Sequence, residues 1–337
     1  MTTDILKKRS ALIKLIRQFF DEREYTEMHT PRLVGLPGQE PHLEPFWTDM
    51  MEPNGAMHPA ALITSPEYAM KRLLAAGLDR IYDLGPCFRN NEPWDGTHDP
   101  EFLMLEWYRK NGDLASLMEE TEAMVRWVAE RFHQITTNVG ARFIAPRTVI
   151  GDAPFRRLTC TEAWQMYANV DLPSLIGDNT AMAKIARDHA QTVSDTDTWD
   201  DLYFKVFLIE IEPKLGEVPT FLYRYPTSQA ALSKTCVDDQ RFADRVELYM
   251  GGLELANGFA ELTDASEQRK RFQEDVALRT SLGKKTWPLD EAFLADLPKI
   301  GPAVGIAFGV DRLVMLLTGA QSINDVIPFS ARDRFTY

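Results

Sequence analysis

Glu106 and Tyr108 stand two residues apart in the alternating stretch Phe102–Arg109, where a strand's period of two puts Phe102, Met104, Glu106 and Tyr108 on one face. A carboxylate beside a phenol is suited to holding an ammonium group; the competing reading is a solvated strand end. Two further acids, Glu247 and Glu254, flank Gly251-Gly252, which reads as a two-residue hairpin turn. Folding about that turn pairs Met250 with Leu253, Tyr249 with Glu254 and Glu247 with Ala256. The two acids then lie diagonally on one face, roughly 7–8 Å apart between backbones. Carboxylates at that reach can share a hard cation, with magnesium on a nucleotide phosphate as the candidate. The alternative is two acids on the wet face of a hairpin.

A third pattern follows near the C-terminus. Gly305, Ala307 and Gly309 alternate with Val304, Ile306, Phe308 and Val310, leaving one strand face nearly bare. Such a face has room for a flat ring or a ligand backbone. Asp311 reads as the cap of a helix from Arg312 to Thr318, ended by Gly319. An arginine at that helix start can meet an anion. The plainer reading is glycines admitting a packed neighbour, with Arg312 in a structural ion pair.

These residues need elements to position them. Leu12, Ile16 and Phe19, flanked by Ile13 and Phe20, predict a first amphipathic helix, broken at Thr30-Pro31. Ser65-Pro66-Glu67 predicts a helix start, with a capping residue and a proline at the first helical position, running to Leu74 and stopping at Gly77. Ile81–Leu84 reads as a strand that Cys87-Phe88-Arg89 closes. Asn90 to Glu101 then form a connection longer than a hairpin needs, which marks a functional loop. Leu114 to Phe132 predicts another helix. Thr159 to Glu212 is mostly helical in pattern, interrupted by the polar run 194–198, and carries no nameable chemistry as far as Pro219; it suits a partner surface.

The chain has 337 residues, 45% of them hydrophobic, which excludes disorder as the main state. Fifty acidic against 37 basic residues leave a net charge of −13, which argues against non-specific coating of nucleic acid. Cys87, Cys160 and Cys236 are odd in number and widely spaced, as suits a reducing cytoplasm rather than a disulfide framework or a thiolate zinc site. Cys87 reads as a small core residue rather than a nucleophile. No signal peptide or membrane-spanning run is legible. With no repeat and no flexible linker, one compact body over 1–337 is expected, of α/β or α+β class.

Taken together, these regions resemble the motifs of class II aminoacyl-tRNA synthetases. Thr30-Pro31 is similar to the dimer-forming motif 1, Phe88-Arg89 with the long loop and Pro100-Glu101-Phe102 to motif 2, and Gly309-Val310-Asp311-Arg312 to motif 3. Thr64-Ser65-Pro66-Glu67, His98-Asp99-Pro100-Glu101-Phe102 and Glu254 to Leu262 resemble the lysine site of the lysyl subfamily. The chain begins at the motif 1 helix, without an anticodon-binding domain, and Ala307 stands where lysyl-tRNA synthetases have glycine. Both features, with Glu106-Trp107-Tyr108, resemble the truncated paralogues that ligate lysine to elongation factor P.

The resemblance implies an α+β catalytic domain with a mostly antiparallel sheet flanked by helices, a homodimer, and use of ATP with Mg2+. It implies activation of (R)-β-lysine as an adenylate and transfer to a lysine side chain of elongation factor P, with no tRNA. Arg89 would hold the α-phosphate and the substrate carboxylate, and Arg312 the γ-phosphate. Asn90, Asn91, Asp99, Glu254, Leu255 and Gly309 complete the expected ATP contacts, with Asn91 and Glu92 both open as the adenine contact. Glu247 and Glu254 match the magnesium ligands. Glu67, with Ser65 and Pro66, would bind the backbone-side amine, although Glu67 could instead form a capping box with Thr64. Glu106, Tyr108 and Glu261 would hold the terminal ammonium, Asn257 the carboxylate, and Ala307 would reshape the pocket. A regular pleat puts Asn257 on the face opposite Glu254, so a bulge at Gly258 is expected. A stand-alone lysyl-adenylate enzyme with a tRNA or small-amine acceptor, or a catalytically silent regulatory paralogue, are the rival readings.

Overall fold

Helix α1 (Thr3–Asp21) forms where the spacing predicts it, with Thr2 accepting from the Ile5 amide as N-cap and Leu12, Leu15, Ile16, Phe19 and Phe20 buried along one stripe. The computed structural model describes residues 2–137, 150–230 and 232–336. These fall into two compact units, Met1–Pro146 with Glu261–Tyr337, and Arg147–Ala260.

In the first unit, β1 (Thr26–Met28) runs parallel to β5 (Arg80–Phe88), and β5 pairs antiparallel with β6 (Glu101–Lys110). A small sheet of β2 (Leu33–Val34), β3 (Trp47–Met51) and β4 (Met57–Leu62) precedes helix α2 (Glu67–Ala75). Thr30, just before Pro31, donates its amide and hydroxyl to buried Asp83 at 2.9 and 2.8 Å. Arg32 pairs with the same carboxylate, and Gly85 admits it, because a Cβ at that position would collide with the guanidinium. Helix α2 starts one residue later than expected, with Pro66 rather than Ser65 at the N-cap position; the Glu67 amide donates to Ser65 Oγ at 3.0 Å, and Gly77, just past the end, has φ 109°. Helix α3 (Leu114–Thr137) follows β6.

The second unit opens with β7 (Arg156–Thr159), parallel to β8 (Thr220–Pro226). Between them lie α4 (Cys160–Ala168), α5 (Asn179–Asp188) and α6 (Trp199–Val206), the last continuing into a π-helical turn at Phe207–Ile211. The polar run 194–198 ends in Thr198, which caps α6 in a capping box with Asp201. These helices bury Trp164, Met182, Tyr203 and Phe207 against the sheet. Antiparallel β9 (Phe242–Met250) and β10 (Leu253–Ala260) follow, joined through Gly251 and Gly252 at φ 61° and 76°, the left-handed pair that a two-residue hairpin requires.

Back in the first unit, α7 (Ala265–Ser281) and α8 (Glu291–Asp296) lead to β11 (Ala303–Gly309), which pairs antiparallel with β6. Helix α9 (Val310–Thr318) and a last short helix, α10 (Ala331–Phe335), complete the chain. Each unit's strands are antiparallel apart from one parallel edge pair, as the expected α+β class requires. No helix among the described residues is long and apolar enough to cross a membrane.

Candidate active site

The bare face of β11 is filled by the acid and phenol of β6. Register places Gly305 opposite Tyr108 and Ala307 opposite Glu106, and a Cβ at Gly305 would collide with the Tyr108 ring and with Glu261 Oε1. The missing side chain is therefore what lets the aromatic ring lie against the sheet. Tyr108 donates its hydroxyl to Glu106 Oε2 at 2.7 Å, and Ser65 donates to Glu106 Oε1 at 2.6 Å. Glu106 is 1% exposed, so the solvated-strand reading does not hold. Burial, then the neighbouring charge of Glu67, pushes its carboxyl well above the usual range.

Beside this pair, Lys71 of α2 puts its ammonium 2.6 Å from Glu67 Oε1 and 2.6 Å from Glu261 Oε2, with Lys71 and Glu261 inaccessible to solvent. Glu67 therefore forms no capping box with Thr64, whose hydroxyl donates to Glu40 instead, at 2.9 Å. Glu261 Oε1 is buried with no hydrogen-bond partner among the described residues. Glu67 and Glu261 thus share one ammonium, while Glu106, held by Ser65 and Tyr108, lies near Glu67. A buried acceptor without a donor, in a pocket short of positive charge, suits an incoming cation.

At the other end of β5 and β6, Arg89 opens the loop 89–100. Its guanidinium lies 5.1 Å from the centre of the Phe102 ring, and its Nε is buried without a partner among the described residues. Arg312 reaches the same loop, donating from Nη2 to His98 Nε2 at 3.0 Å and from Nε to the Thr97 carbonyl at 3.4 Å. Because a guanidinium only donates, His98 Nε2 is the acceptor, and Nδ1 is left to donate to Asp95 at 3.1 Å. His98 is thus a loop contact that holds Arg312. A cleft of about 490 Å3 opens beside the loop's first residues, lined by Asn90, Asn91 and Glu92 together with His42, Glu44 and Lys284.

One expectation is corrected here. Asp311 is not the cap of α9: Gly309 takes that position, and the Asp311 carboxylate, 2% exposed, accepts from Arg9 at 2.9 Å and the Leu103 amide at 2.7 Å. It ties α9 to α1 and β6, leaving Arg312 as the first-turn side chain turned to the loop. Asp99, expected among the ATP contacts, is held by groups of the protein itself. Its oxygens accept from the Ala331 amide at 2.7 Å, the Glu101 amide at 3.1 Å and Arg334 at 3.2 Å.

In the second unit, the hairpin departs from the expected register. Leu253 faces Met250 and Glu254 faces Tyr249 as predicted, but a bulge at Leu255 sets Ala256 opposite Leu248 and Asn257 opposite Glu247. The bulge comes three residues before the expected Gly258, and it does bring Asn257 onto the face of Glu247. Glu247 is buried: Tyr225 and Arg245 donate to it through short contacts, and Tyr249 at 2.6 Å. The wet-face reading therefore fails for Glu247, whereas Glu254 is half-buried. Arg245, lying 4.5 Å over the Tyr225 ring, also donates to Asn257 Oδ1 at 3.1 Å. Among the described residues, no three His, Cys, Asp or Glu side chains group as a metal site.

The family model of class II tRNA synthetases (D, K and N) matches residues 1–333. The chain belongs to this family. Among curated class II relatives it is 38% identical over 329 residues to the elongation factor P–(R)-β-lysine ligase of Hamiltonella defensa, covering 96% of this chain and 94% of that protein. The same identity and coverage hold for the ligases of that name from Edwardsiella ictaluri, over 330 residues, and Proteus mirabilis, over 329.

Within the class II frame, the first unit brings together Ser65, Glu67, Glu106, Tyr108 and Glu261, with Ala307 opposite Glu106. The second brings together Glu247 and Asn257 through Arg245. Cys87 is fully buried and pairs with Met104 Sδ at 3.9 Å, a core residue as read. Lys71, Arg245 and Arg334 escaped the sequence reading. Only Lys71 left a trace there, at four residues after Glu67 on a predicted helix.

Proposed function

We propose that this protein is an ATP-dependent ligase that activates (R)-β-lysine as its adenylate and transfers it to a lysine side chain of elongation factor P. The observation that carries this reading is the carboxylate pocket of the first unit. Glu67 and Glu261 share the single Lys71 ammonium, Glu106 lies near Glu67 as a further acid, and Glu261 Oε1 has no donor among the described residues. A diamine with both amines protonated matches that deficit of charge, and the names of the relatives specify which diamine and which acceptor.

The proposed residue roles are those that the class II resemblance implies. Glu106, Tyr108 and Glu261 hold the terminal ammonium, and Glu67, with Ser65 and Pro66 at its helix start, the backbone-side amine. Asn257 holds the carboxylate, and Ala307 shapes the wall opposite Glu106. Arg89 holds the carboxylate and α-phosphate as they approach, with Phe102 beneath it, and Arg312 meets the γ-phosphate. Asn90, Asn91 and Glu92 supply the loop side of the nucleotide site, with Glu254, Leu255 and Gly309 as its other contacts. Glu247 and Glu254 are hard oxygen donors that fit magnesium, which supplies neutralisation of phosphate charge when bound.

The substrate carboxylate attacks the α-phosphate and pyrophosphate leaves. The amine of the acceptor lysine then attacks the activated carbonyl, loses a proton and expels AMP, leaving an amide. No protein nucleophile takes part, so catalysis comes from alignment and from cations placed where phosphate charge develops. A homodimer formed through the Thr30-Pro31 region and a place in the cytoplasm, beside the translation factor, belong to the same proposal.

Pyrophosphate exchange into ATP, dependent on a lysine isomer, tests the first step. Exchange that disappears in Arg312→Ala with the fold retained is expected. Unchanged exchange in that variant removes Arg312 from the mechanism.

A further inference from the structure

Asn257 has two faces, one a hydrogen-bond acceptor and one a donor, and which face meets the substrate decides whether it attracts or repels a carboxylate. Arg245 settles that choice. Its Nε donates to Asn257 Oδ1 at 3.1 Å, and a guanidinium has no acceptor, so the atom turned to it must be the amide oxygen. The Nδ2 group is left to point elsewhere, with no hydrogen-bond partner among the described residues.

Arg245 is itself held on every side. Its Nη2 pairs with Glu247, its Nη1 donates to the Gln229 carbonyl, and its plane lies 4.5 Å from the centre of the Tyr225 ring. Tyr225 and Tyr249 donate to the other oxygen of Glu247 and fix that carboxylate in turn. The bulge at Leu255 completes the arrangement, because without it Asn257 would fall on the opposite face of β10 from Glu247. A fork anchored at three points is a rigid support for one amide.

Resting on the function proposed above, we propose that Arg245 is a positioning residue for the substrate carboxylate: it locks the Asn257 amide with its donor group turned to the anion. Arg245 does not touch the substrate. It acts through Asn257, and its removal frees the amide to rotate and present its oxygen.

The test separates the carboxylate from the rest of the ligand. Equilibrium binding of β-lysine, α-lysine and 1,5-diaminopentane, a lysine without its carboxylate, is measured without ATP on wild type, Arg245→Lys, Asn257→Ala and the double variant. Arg245→Lys keeps a cation for Glu247 and loses the fork. It is expected to weaken both lysines by about tenfold or more, the scale of a hydrogen bond to a charged group, and to leave diaminopentane within about twofold. The double variant is expected to be no worse than Asn257→Ala, because the two residues act as one unit. Equal loss for diaminopentane and the lysines, no loss for either, or effects that multiply in the double variant would each overturn the assignment. If Arg245→Lys does not fold, Asn257→Asp with Arg245 intact decides the matter. It keeps the acceptor towards Arg245 and exchanges the donor for an acceptor, so selective loss of the lysines supports the proposal and equal or no loss overturns it. Wild type binding neither lysine, and showing no exchange with either, instead locates the failure in the proposed function and takes this inference with it.

Discussion

Lys71 Nζ lies 2.6 Å from Glu261 Oε2, and neither side chain touches solvent. The same ammonium reaches Glu67, so one internal cation is shared by two acids proposed above to bind substrate amines. Attraction to these carboxylates outweighs the cost of burial and holds the lysine charged.

Lys71→Met is therefore expected to destabilise the ligand-free protein by about 3–5 kcal/mol, the cost of leaving buried charge unpaired. Added lysine or diaminopentane supplies the missing cation, so its thermal stabilisation should be larger in the variant than in wild type. Thermal melts with and without ligand check this. Equal shifts in both proteins would contradict it.

The pocket acids also set a pH dependence. Burial, then Glu67, pushes Glu106 up to about 8, and burial, opposed by Lys71, pushes Glu261 up to about 7, both from an ordinary 4.5. A carboxyl whose folded pKa exceeds its unfolded one favours the folded state fully below the unfolded value and loses that contribution as pH rises through the folded one. Ligand-free stability should thus fall between about pH 5 and 8 on account of these groups. Lysine affinity should rise over the upper part of that window, because ammonium binding needs the ionised acids. Melts and binding isotherms at stepped pH measure both slopes, and affinity flat with pH would count against Glu106 and Glu261 as the ammonium ligands.

Gly305→Ala is the sharpest steric prediction. Its methyl meets the Tyr108 ring and Glu261 Oε1, so the ring must leave the sheet face. Lysine-dependent exchange should fall by about a hundredfold or more, as expected for misplacement of a reacting group. Circular dichroism and a substrate titration would separate this loss from unfolding.

The loop 89–100 is tied to the chain's last residues. Asp99 accepts from Ala331 and Arg334, Arg332 donates to the Trp94 carbonyl at 2.7 Å, and the Ile323 amide to that of Gly96 at 2.7 Å. Arg334→Ala should therefore loosen the nucleotide side and raise the KM for ATP more than that for lysine, with Arg334→Lys partly restoring it. Equal changes in both constants would argue against this role.

Much of this was legible because strands repeat every two residues. Alternation alone put Glu106 with Tyr108 and bared the face at Gly305 and Ala307, and Gly251-Gly252 announced its hairpin. What was hidden depends on contacts between segments distant in sequence. Nothing near Asp311 signals Arg9, some 302 residues away, so its place after a glycine strand read as a cap. The need for a bulge near Asn257 could be reasoned from parity, but its position at Leu255 could not, since glycine is only one way to accommodate an extra residue. Arg245 drew no reading of its own, because its partners gather from β8, β9 and β10 and from the Gln229 carbonyl.

The account's central claim is tested most directly by the intact mass of elongation factor P after incubation with this protein, ATP-Mg and each lysine isomer separately. The expected result is a gain of one lysyl unit, faster with (R)-β-lysine than with α-lysine. No gain on a factor confirmed unmodified beforehand, under conditions where a known ligase modifies it, would contradict the claim.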